Sequence, residues 1–151
     1  QFKKNIELLF TLAYESDKIK HKNISFVSNP EAETIKIFRN CFLATKVGFC
    51  NEMYQFCEMK GINYENVRKL ATADDRILPS HSKVPGHDGK KGFGGACLTK
   101  DTAALLKYSE EVGENFSLLG SVININNSIR REYHKLDPRE EDQNVNYEID
   151  S

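Results

Sequence analysis

The chain has 151 residues, of which 39% are hydrophobic and 28% charged, with 21 Lys and Arg against 22 Asp and Glu. This length suits about one domain with a real apolar core. The balance of charge excludes the basic excess of a nucleic-acid-binding protein, and the apolar content excludes a wholly disordered chain. No apolar run approaches the roughly 20 residues that span a bilayer, and no secretory signal opens the chain. We therefore predict a cytoplasmic protein without membrane or nucleic-acid partners.

The first 29 residues predict a helix followed by a strand. Apolar residues recur at three- and four-residue spacings in 3–15, and the segment NISFVS at 23–28 alternates as a strand does. One helix and one strand cannot form a stable sheet by themselves. We interpret 1–29 as the end of a domain that begins before this sequence.

A long helix is predicted from Pro30 to about Gly61. Asn29 is the expected N-cap, Pro30 suits the first helical position, and Gly61 suits the position after the helix. Apolar residues recur at helical spacing throughout this segment: Ile35, Phe38, Phe42, Phe49, Met53 and Phe56. A helix that is apolar around most of its girth needs several neighbours, and a second subunit is a candidate for one of them.

The remaining chain predicts further helices around one long loop. Asn63 is expected to cap a short helix with Val67 and Leu70 facing inward. Residues 72–96 are rich in turn-forming residues, and a loop of that length is usually functional or disordered. Two more helices follow, the first capped by Thr99 or Asp101 and the second carrying Leu118, Leu119, Val122, Ile125 and Ile129. The acidic stretch 135–151 is predicted to be an exposed tail or linker. The fold class is mainly α.

The four cysteines do not indicate a zinc site or a disulfide framework. No C-x-x-C pair is present, and three of the four lie in the long apolar helix, where cysteine usually acts as a small hydrophobe. The four histidines are scattered without metal-ligand spacing, so no metal site is predicted: His21, His81, His87 and His134. Cys97 differs from the other cysteines because it lies in a glycine-rich loop.

The segment GFGGACLTKD, residues 92–101, is the strongest candidate for chemistry. Its glycines let backbone approach a ligand closely, and Cys97 is expected directly before a helix, where the dipole favours a thiolate. Lys100 adds positive charge, and Asp101 lies one helical turn beyond the cysteine. A thiolate, a carboxylate and backbone donors suit covalent catalysis at a carbonyl carbon. From these residues alone, a flexible loop with an unreactive cysteine is the more frequent explanation.

Lys36 and Asn40 form a second polar pair, on the long helix. They are four residues apart and so share one face of it, among mostly apolar neighbours. A buried polar group needs a partner, whereas a lone lysine usually extends to solvent. The functional alternative is that both side chains point into a polar cavity.

Three motifs in order resemble the UDP-glucose/GDP-mannose dehydrogenase family. They are TIKIFRNCFLATKVGFCNE, DDRI and GFGGACLTKD, and SIRREY fits the end of the same central domain. The resemblance implies a helical central dimerisation domain with a catalytic-cysteine loop, over residues 30–134. It also implies that 1–29 are the helix–strand remnant of an α/β dinucleotide-binding domain, and that 135–151 follow as the tail or linker.

The family oxidises the C6 alcohol of a nucleotide sugar to a carboxylate in two NAD-dependent hydride transfers. By resemblance, Cys97 is the nucleophile that forms a thiohemiacetal and then a thioester, and Asp101 helps to activate the hydrolytic water. Lys36 would act as base or stabilise the oxyanion, and Asn40 would order the same network.

The resemblance also implies contacts with substrate and cofactor. The backbone of Gly92, Phe93 and Gly94 would line the sugar site, and Lys36 and Asn40 would bind substrate as well. Cys97 and Lys100 would lie near the nicotinamide. Arg76 would reach the substrate of the partner subunit across a homodimer built on the long helix.

This sequence also departs from the family pattern. Thr99 stands where the family commonly has proline, and 81–91 lengthen the approach to the loop. No G-x-G-x-x-G follows a predicted strand, so we expect the NAD site to lie mostly outside this sequence and the chain alone to be inactive. The predicted function is a fragment of a nucleotide-sugar 6-dehydrogenase acting on UDP-glucose; the sequence does not distinguish this sugar from GDP-mannose or UDP-N-acetylmannosamine. The alternative is an inactive helical dimerisation module left by truncation.

Overall fold

The computed structural model describes residues 1–133 and 136–147, and within them it contains α-helices and no β-strand. The helices are α1 (Phe2–Glu15), α2 (Asn29–Lys60), α3 (Tyr64–Ala71), α4 (Ala96–Glu111), α5 (Ser117–Arg130) and α6 (Pro138–Asp142). The prediction of a mainly α fold with one long helix is confirmed. The chain divides into two compact units, one covering 1–34 and the other the residues from 35 onward. No helix in the described ranges is long and apolar enough to cross a membrane.

The first unit contains α1 and an extended segment, and the predicted strand at 23–28 is wrong. No residue of α1 is buried, and 23–28 carry no ladder hydrogen bonds. The Lys3 ammonium lies 5.1 Å from the ring centre of Phe26, which joins the extended segment to α1. A strand needs a neighbouring strand for its N–H and C=O groups, and the alternation of Ile24, Phe26 and Val27 supplies none. That 1–29 are a remnant of a dinucleotide-binding domain stays a prediction.

Helix α2 begins with a capping box one residue earlier than expected. The Ser28 N–H and hydroxyl both donate to Glu31 Oε2 at 2.7 Å, and the Glu31 N–H lies 3.4 Å from Ser28 Oγ. The prediction of Asn29 as the cap is therefore wrong, because Ser28 has the glutamate three residues later that completes the box.

The other end of α2 stops at a glycine, as predicted. Gly61 has φ +65°, its N–H donates to the Glu58 carbonyl at 3.2 Å, and the Ile62 N–H donates to the Cys57 carbonyl at 2.9 Å. These two bonds form a Schellman motif, which satisfies carbonyls that a helix end otherwise leaves open.

The core of the second unit lies where α2, α4 and α5 meet around Phe93. Phe93 is 4% exposed and packs with Ala44 of α2 and Val122 of α5, and Val47 and Leu98 close the cluster. A second cluster, containing Cys57, Tyr64 and Val84, ties α3 and the long loop to the far half of α2. The loop before α4 is thus anchored by apolar packing near its middle, at Val84, and near its end, at Phe93.

Two expected apolar faces are exposed within the single chain. Phe38, Phe42, Phe49 and Met59 of α2 are 68%, 62%, 62% and 77% exposed, so α2 is buried on one side only. In α3 the inward placing of Val67 and Leu70 is wrong, since they are 36% and 80% exposed. Tyr64 is the buried residue of that helix, because its hydroxyl donates to the Ser82 carbonyl at 2.7 Å.

The predicted exposure of the acidic stretch 135–151 is corrected at its centre. Asp137 caps α6, and Glu140 within that helix is completely buried. Charge content alone predicted a solvated tail, but a buried cation on α5 pairs with this glutamate. Residues 134–135 and 148–151, including His134, lie outside the described residues. The division into domains at 29/30 and 134/135 stays a prediction.

Candidate active site

Helix α4 begins earlier than expected and places Cys97 inside its first turn. Gly95 is the N-cap, with φ +76°, and the helix begins at Ala96. The prediction that Thr99 or Asp101 caps this helix is therefore wrong, and the Thr99 hydroxyl instead donates back to the Gly95 carbonyl at 2.6 Å. Cys97 is the exposed cysteine of the four; Cys41 and Cys57 are buried and Cys50 is half-buried.

The Asp101 carboxylate joins the lysines and the asparagine that the sequence singled out. Asn40 donates to Asp101 Oδ2 at 2.5 Å, Lys36 Nζ lies 3.5 Å from the same oxygen, and Lys100 Nζ lies 3.0 Å from Oδ1. The structure thus brings together residues 61 positions apart along the chain. Asp101 is 4% exposed, so its charge is held by these three partners rather than by water.

The ionised form of Asp101 is favoured by its partners. Burial raises the pKa of this carboxyl, but the hydrogen bonds from Lys100 and Asn40 and the charges of Lys100 and Lys36 outweigh burial and lower the pKa overall. The same hydrogen bond and the charge of Asp101 raise the pKa of Lys100. The cluster therefore contains a carboxylate and an ammonium at neutral pH.

Cys41 has the opposite environment from Cys97. It is buried on α2, and its thiol lies 3.8 Å from the Asp101 carbonyl oxygen, to which it donates. Burial and the negative charge of Asp101 raise the pKa of Cys41 to about 11. Cys41 is thus kept as a neutral thiol, and Cys97 is left as the accessible sulfur beside the lysine–aspartate cluster.

A cavity of about 660 Å³ opens beside Cys97. Asn40 and residues 92–96 line it, and so do charged and histidine residues of the preceding loop and of the segment that begins α6: His81, Lys83, His87, Asp88, Asp137 and Arg139. Burial, with the charges of Lys46 and His87, lowers the pKa of His81. A cavity of this size, in which polar and apolar residues surround one sulfur, suits a small organic substrate.

The glycine-rich turn is held by side chains that the sequence analysis missed. Asn51 of α2 accepts from the Gly92 N–H at 3.0 Å, and Asn126 of α5 accepts from the Phe93 N–H at 2.7 Å. Asn126 also donates to the Phe93 carbonyl at 3.0 Å. Gly92 has φ +73°, and a Cβ there would lie 2.6 Å from Asn126 Oδ1. The glycine is therefore needed for packing as well as for its backbone conformation.

A buried ion pair lies behind the same turn. Arg130 and Glu140 are 2% and 0% exposed, and Arg130 Nη2 lies 3.0 Å from Glu140 Oε1 and 2.8 Å from Asp88 Oδ2. Glu140 Oε1 accepts from the Gly95 N–H at 2.9 Å, and its carboxylate also accepts from the Tyr147 hydroxyl at 2.6 Å. The sequence signal that could have indicated these buried contacts is the pair Asn126 and Arg130, two polar residues four positions apart on an apolar helix.

Other predicted site residues lie apart from this cluster. Arg76 is exposed and pairs with Asp74 at 2.6 Å, and its predicted contact across a dimer stays a prediction. Within residues 1–133 and 136–147, no group of three or more His, Cys, Asp or Glu side chains is placed to hold a metal ion. The roles of Lys36, Asn40, Cys97 and Asp101 in catalysis, and of Lys100 beside a nicotinamide, also stay predictions.

These features define a helical domain that presents one accessible cysteine, at the start of a helix, to a cavity lined by polar groups. Residues 30–128 match the UDP-glucose/GDP-mannose dehydrogenase family, central domain. The chain belongs to this family, and the resemblance inferred from its motifs is confirmed.

Similar proteins include UDP-glucose 6-dehydrogenases from several bacteria. The chain is 36% identical to the Pseudomonas aeruginosa enzyme over 102 residues, covering 68% of this chain and 21% of that protein. It is 41% identical to the Bacillus subtilis YwqF enzyme over 97 residues, covering 64% and 21%. It is 32% identical to the Campylobacter jejuni enzyme over 114 residues, covering 76% and 27%. The match thus spans about a fifth to a quarter of these relatives' length.

Proposed function

We propose that this chain supplies the catalytic-cysteine part of a nucleotide-sugar 6-dehydrogenase that oxidises UDP-glucose to UDP-glucuronate. The observation that carries the proposal is the Asp101 cluster, in which Lys36, Lys100 and Asn40 meet one turn beyond an exposed Cys97. Support comes from the similar proteins, which carry the name UDP-glucose 6-dehydrogenase.

NAD is the hydride acceptor that the family implies. The described residues contain no β-strand followed by a glycine-rich turn, so they do not form a dinucleotide-binding fold. In the proposal, NAD would supply the oxidising chemistry, one molecule for each of the two hydrides that leave C6, and it would be held mostly by residues other than those described, with Cys97 and Lys100 near the nicotinamide.

The chain's own residues perform the carbonyl chemistry in this proposal. After a hydride and the hydroxyl proton have left the C6 alcohol to give the aldehyde, the Cys97 sulfur bonds to the aldehyde carbon, and the carbonyl oxygen takes up a proton to give a thiohemiacetal. Loss of the second hydride and of the hydroxyl proton gives a thioester. Water then adds to the thioester carbon, and the C–S bond breaks to release the carboxylate and the thiol.

The charged groups have distinct roles in these steps. Lys36 stabilises the negative charge that develops on the C6 oxygen, because an ammonium there lowers the energy of an oxyanion. Asp101 accepts a proton from the attacking water, and Asn40 orients that water and the carboxylate. Lys100 holds Asp101 ionised between steps, as its hydrogen bond lowers the pKa of that carboxyl.

The test measures Cys97 without requiring turnover. We expect the 6-aldehyde of UDP-glucose to slow alkylation of Cys97 by iodoacetamide, followed on the Cys97 peptide by mass spectrometry, because a thiohemiacetal masks the sulfur. UDP-glucose itself cannot form that bond and is the ligand control, and the half-buried Cys50 is the internal control. Equal rates with and without the aldehyde, or equal slowing of Cys50, would contradict the proposal.

The second candidate is a catalytically inactive dimerisation module. The exposed apolar face of α2, with Phe38, Phe42, Phe49 and Met59, favours a homodimer in both proposals. We expect sedimentation at micromolar concentration to show a dimer and Phe42→Glu to give a monomer. Phe2→Glu, at an exposed phenylalanine of α1, is the control and keeps the dimer. Steady NADH formation from UDP-glucose and NAD by the chain alone would refute the inactive module.

A further inference from the structure

We propose that Glu140 of α6 is a positioning residue for Cys97, which holds the first turn of α4 in place through the N–H of Gly95. The inference rests on the proposed function in that it concerns the same sulfur. It adds a residue beyond the family match, which ends at residue 128.

The turn that carries Cys97 cannot fix its own position. Between 92 and 95 the single side chain is Phe93, so the turn depends on bonds from its backbone to other elements. Asn51 and Asn126 hold its first two N–H groups. Glu140 holds the N–H of Gly95, which is the N-cap of α4, two residues before Cys97.

Glu140 itself is rigidly placed. Its carboxylate accepts from the Gly95 N–H at 2.9 Å, from the Tyr147 hydroxyl at 2.6 Å and from the Asp137 N–H at 2.9 Å, and it pairs with Arg130. Buried polar groups satisfied in this way are rigid, since any movement leaves a donor or acceptor unpaired at a cost. The backbone of Gly95 is therefore hydrogen-bonded to a side chain that does not move freely.

Steric contact reinforces the same attachment. A Cβ on Gly94 would lie 1.3 Å from Arg130 Nη2 and 2.5 Å from Glu140 Oε1, so the backbone of the turn runs directly against the ion pair. Displacement of Glu140 thus changes both a hydrogen bond to the turn and the surface on which it packs. The N–H groups at a helix start stabilise a thiolate only when the turn places them beside the sulfur.

Two variants separate position from charge. Glu140→Asp keeps the negative charge and withdraws it by one methylene from the Gly95 N–H. Glu140→Gln keeps a carbonyl acceptor at full length toward the Gly95 N–H and removes the charge; its amide NH2 then faces the Asp137 N–H, so that contact is lost while the contact with the turn is kept. Glu141→Asp, on the exposed neighbour in α6, is the matched control. Circular dichroism establishes that each variant is folded, and alkylation of the Cys97 peptide by iodoacetamide is followed across pH.

We expect Glu140→Asp to slow Cys97 alkylation at neutral pH by about threefold and to raise the pH of half-maximal rate by about half a unit, because thiolate content sets the rate. Glu140→Gln is expected to react at least as fast as the unaltered chain, and Glu141→Asp to match it. A folded Glu140→Asp with an unaltered rate and pH profile overturns the proposal. So does a Glu140→Gln that is slower than Glu140→Asp, since charge rather than position would then control the sulfur.

A second measurement on the unaltered chain keeps the proposal open to refutation if Glu140→Asp does not fold. The Gly95 amide should exchange with deuterium more slowly than an unstructured amide, and free exchange at Gly95 overturns the proposal. Neither measurement uses a nucleotide sugar. A lack of protection by the aldehyde, together with the expected Glu140→Asp effect, would therefore refute the proposed function and leave this inference standing.

Discussion

Two carboxylates of the second unit each meet cations, in opposite surroundings. Glu140 and its partner Arg130 have side chains that are each 1% exposed. Asp101 is 6% exposed by the same measure, but its partners Lys36 and Lys100 are 61% and 52% exposed. The Arg130–Glu140 pair (the sealed pair) cannot exchange partners with water and is suited to fixing the backbone. The Asp101 cluster with Lys36 and Lys100 (the open cluster) can release a lysine to an incoming ligand. The two proposals therefore assign a structural role to one set of charges and a chemical role to the other.

The largest effect is expected from breaking the sealed pair. Arg130→Met should lower the free energy of unfolding by about 3–5 kcal/mol, because it leaves the buried Glu140 carboxylate and Asp88 without their cation. Urea denaturation measures this change. Arg39→Met, at an exposed arginine of α2, is the control and should change stability little. Equal losses for both variants would show that the buried pair has no special role.

The packing of the turn against that pair gives the next prediction. Gly94→Ala should destabilise the protein by about 2–3 kcal/mol, because the added methyl group overlaps the Arg130 guanidinium and has no free space. Gly120→Ala is the matched change within α5, where the new Cβ would lie 3.9 Å from Leu106 Cδ1. That variant should be stabilising by up to about 1 kcal/mol, since glycine is a poor helix former. Thermal unfolding of both variants tests the difference.

The sealed pair should also affect how the free energy of unfolding changes at acid pH. Burial raises the pKa of Glu140, but the hydrogen bonds of Tyr147, Asp137 and Gly95 and the charge of Arg130 outweigh burial and lower that pKa from 4.5 to about 2. A carboxyl with a lowered pKa adds stability that is complete above about pH 5 and is lost as the pH falls toward 2. The unaltered chain should therefore lose more stability over this range than Glu140→Gln. Parallel curves of unfolding free energy against pH would contradict the assignment.

The smallest effect on stability is expected at the open cluster. Lys36→Met should change the free energy of unfolding by less than about 1 kcal/mol, because a largely exposed ammonium gains little from an ion pair. The same variant should weaken the protection of Cys97 by the nucleotide-sugar aldehyde, since Lys36 is proposed to stabilise the C6 oxygen. Lys107→Met, on the exposed side of α4, is the control for both measurements. If Lys36→Met lowered the free energy of unfolding as much as Arg130→Met, the proposed difference between the two carboxylates would be wrong.

Local signals in the sequence predicted most of the helical framework. Pro30 and Gly61 bounded α2 to within a residue, because the restrictions that proline and glycine place on the backbone do not depend on distant contacts. The strand at 23–28 was wrong for the opposite reason, since a strand exists only with a partner that the alternation of Ile24 and Phe26 does not provide.

The residues of the site also divide into those that local sequence signals predicted and those that depend on distant contacts. Lys36, Asn40 and Asp101 were predictable because helical spacing and the family motifs pointed to them, and the structure brings them together. Glu140 was not predictable, because its burial depends on Arg130, a cation on another element. A run of charged residues such as 138–142 ordinarily indicates a solvated surface, and its composition does not reveal that one member pairs inside the protein.

The link between α5 and α6 has a practical consequence for anyone who prepares shorter versions of this polypeptide. A boundary drawn at residue 128, where the family match ends, would remove Arg130, Glu140 and Tyr147 together and strip the support from Gly94 and Gly95. A boundary just after residue 133 would keep the guanidinium of Arg130 and discard Glu140, which leaves Asp88 as its carboxylate partner. Recombinant versions should therefore extend at least through Tyr147.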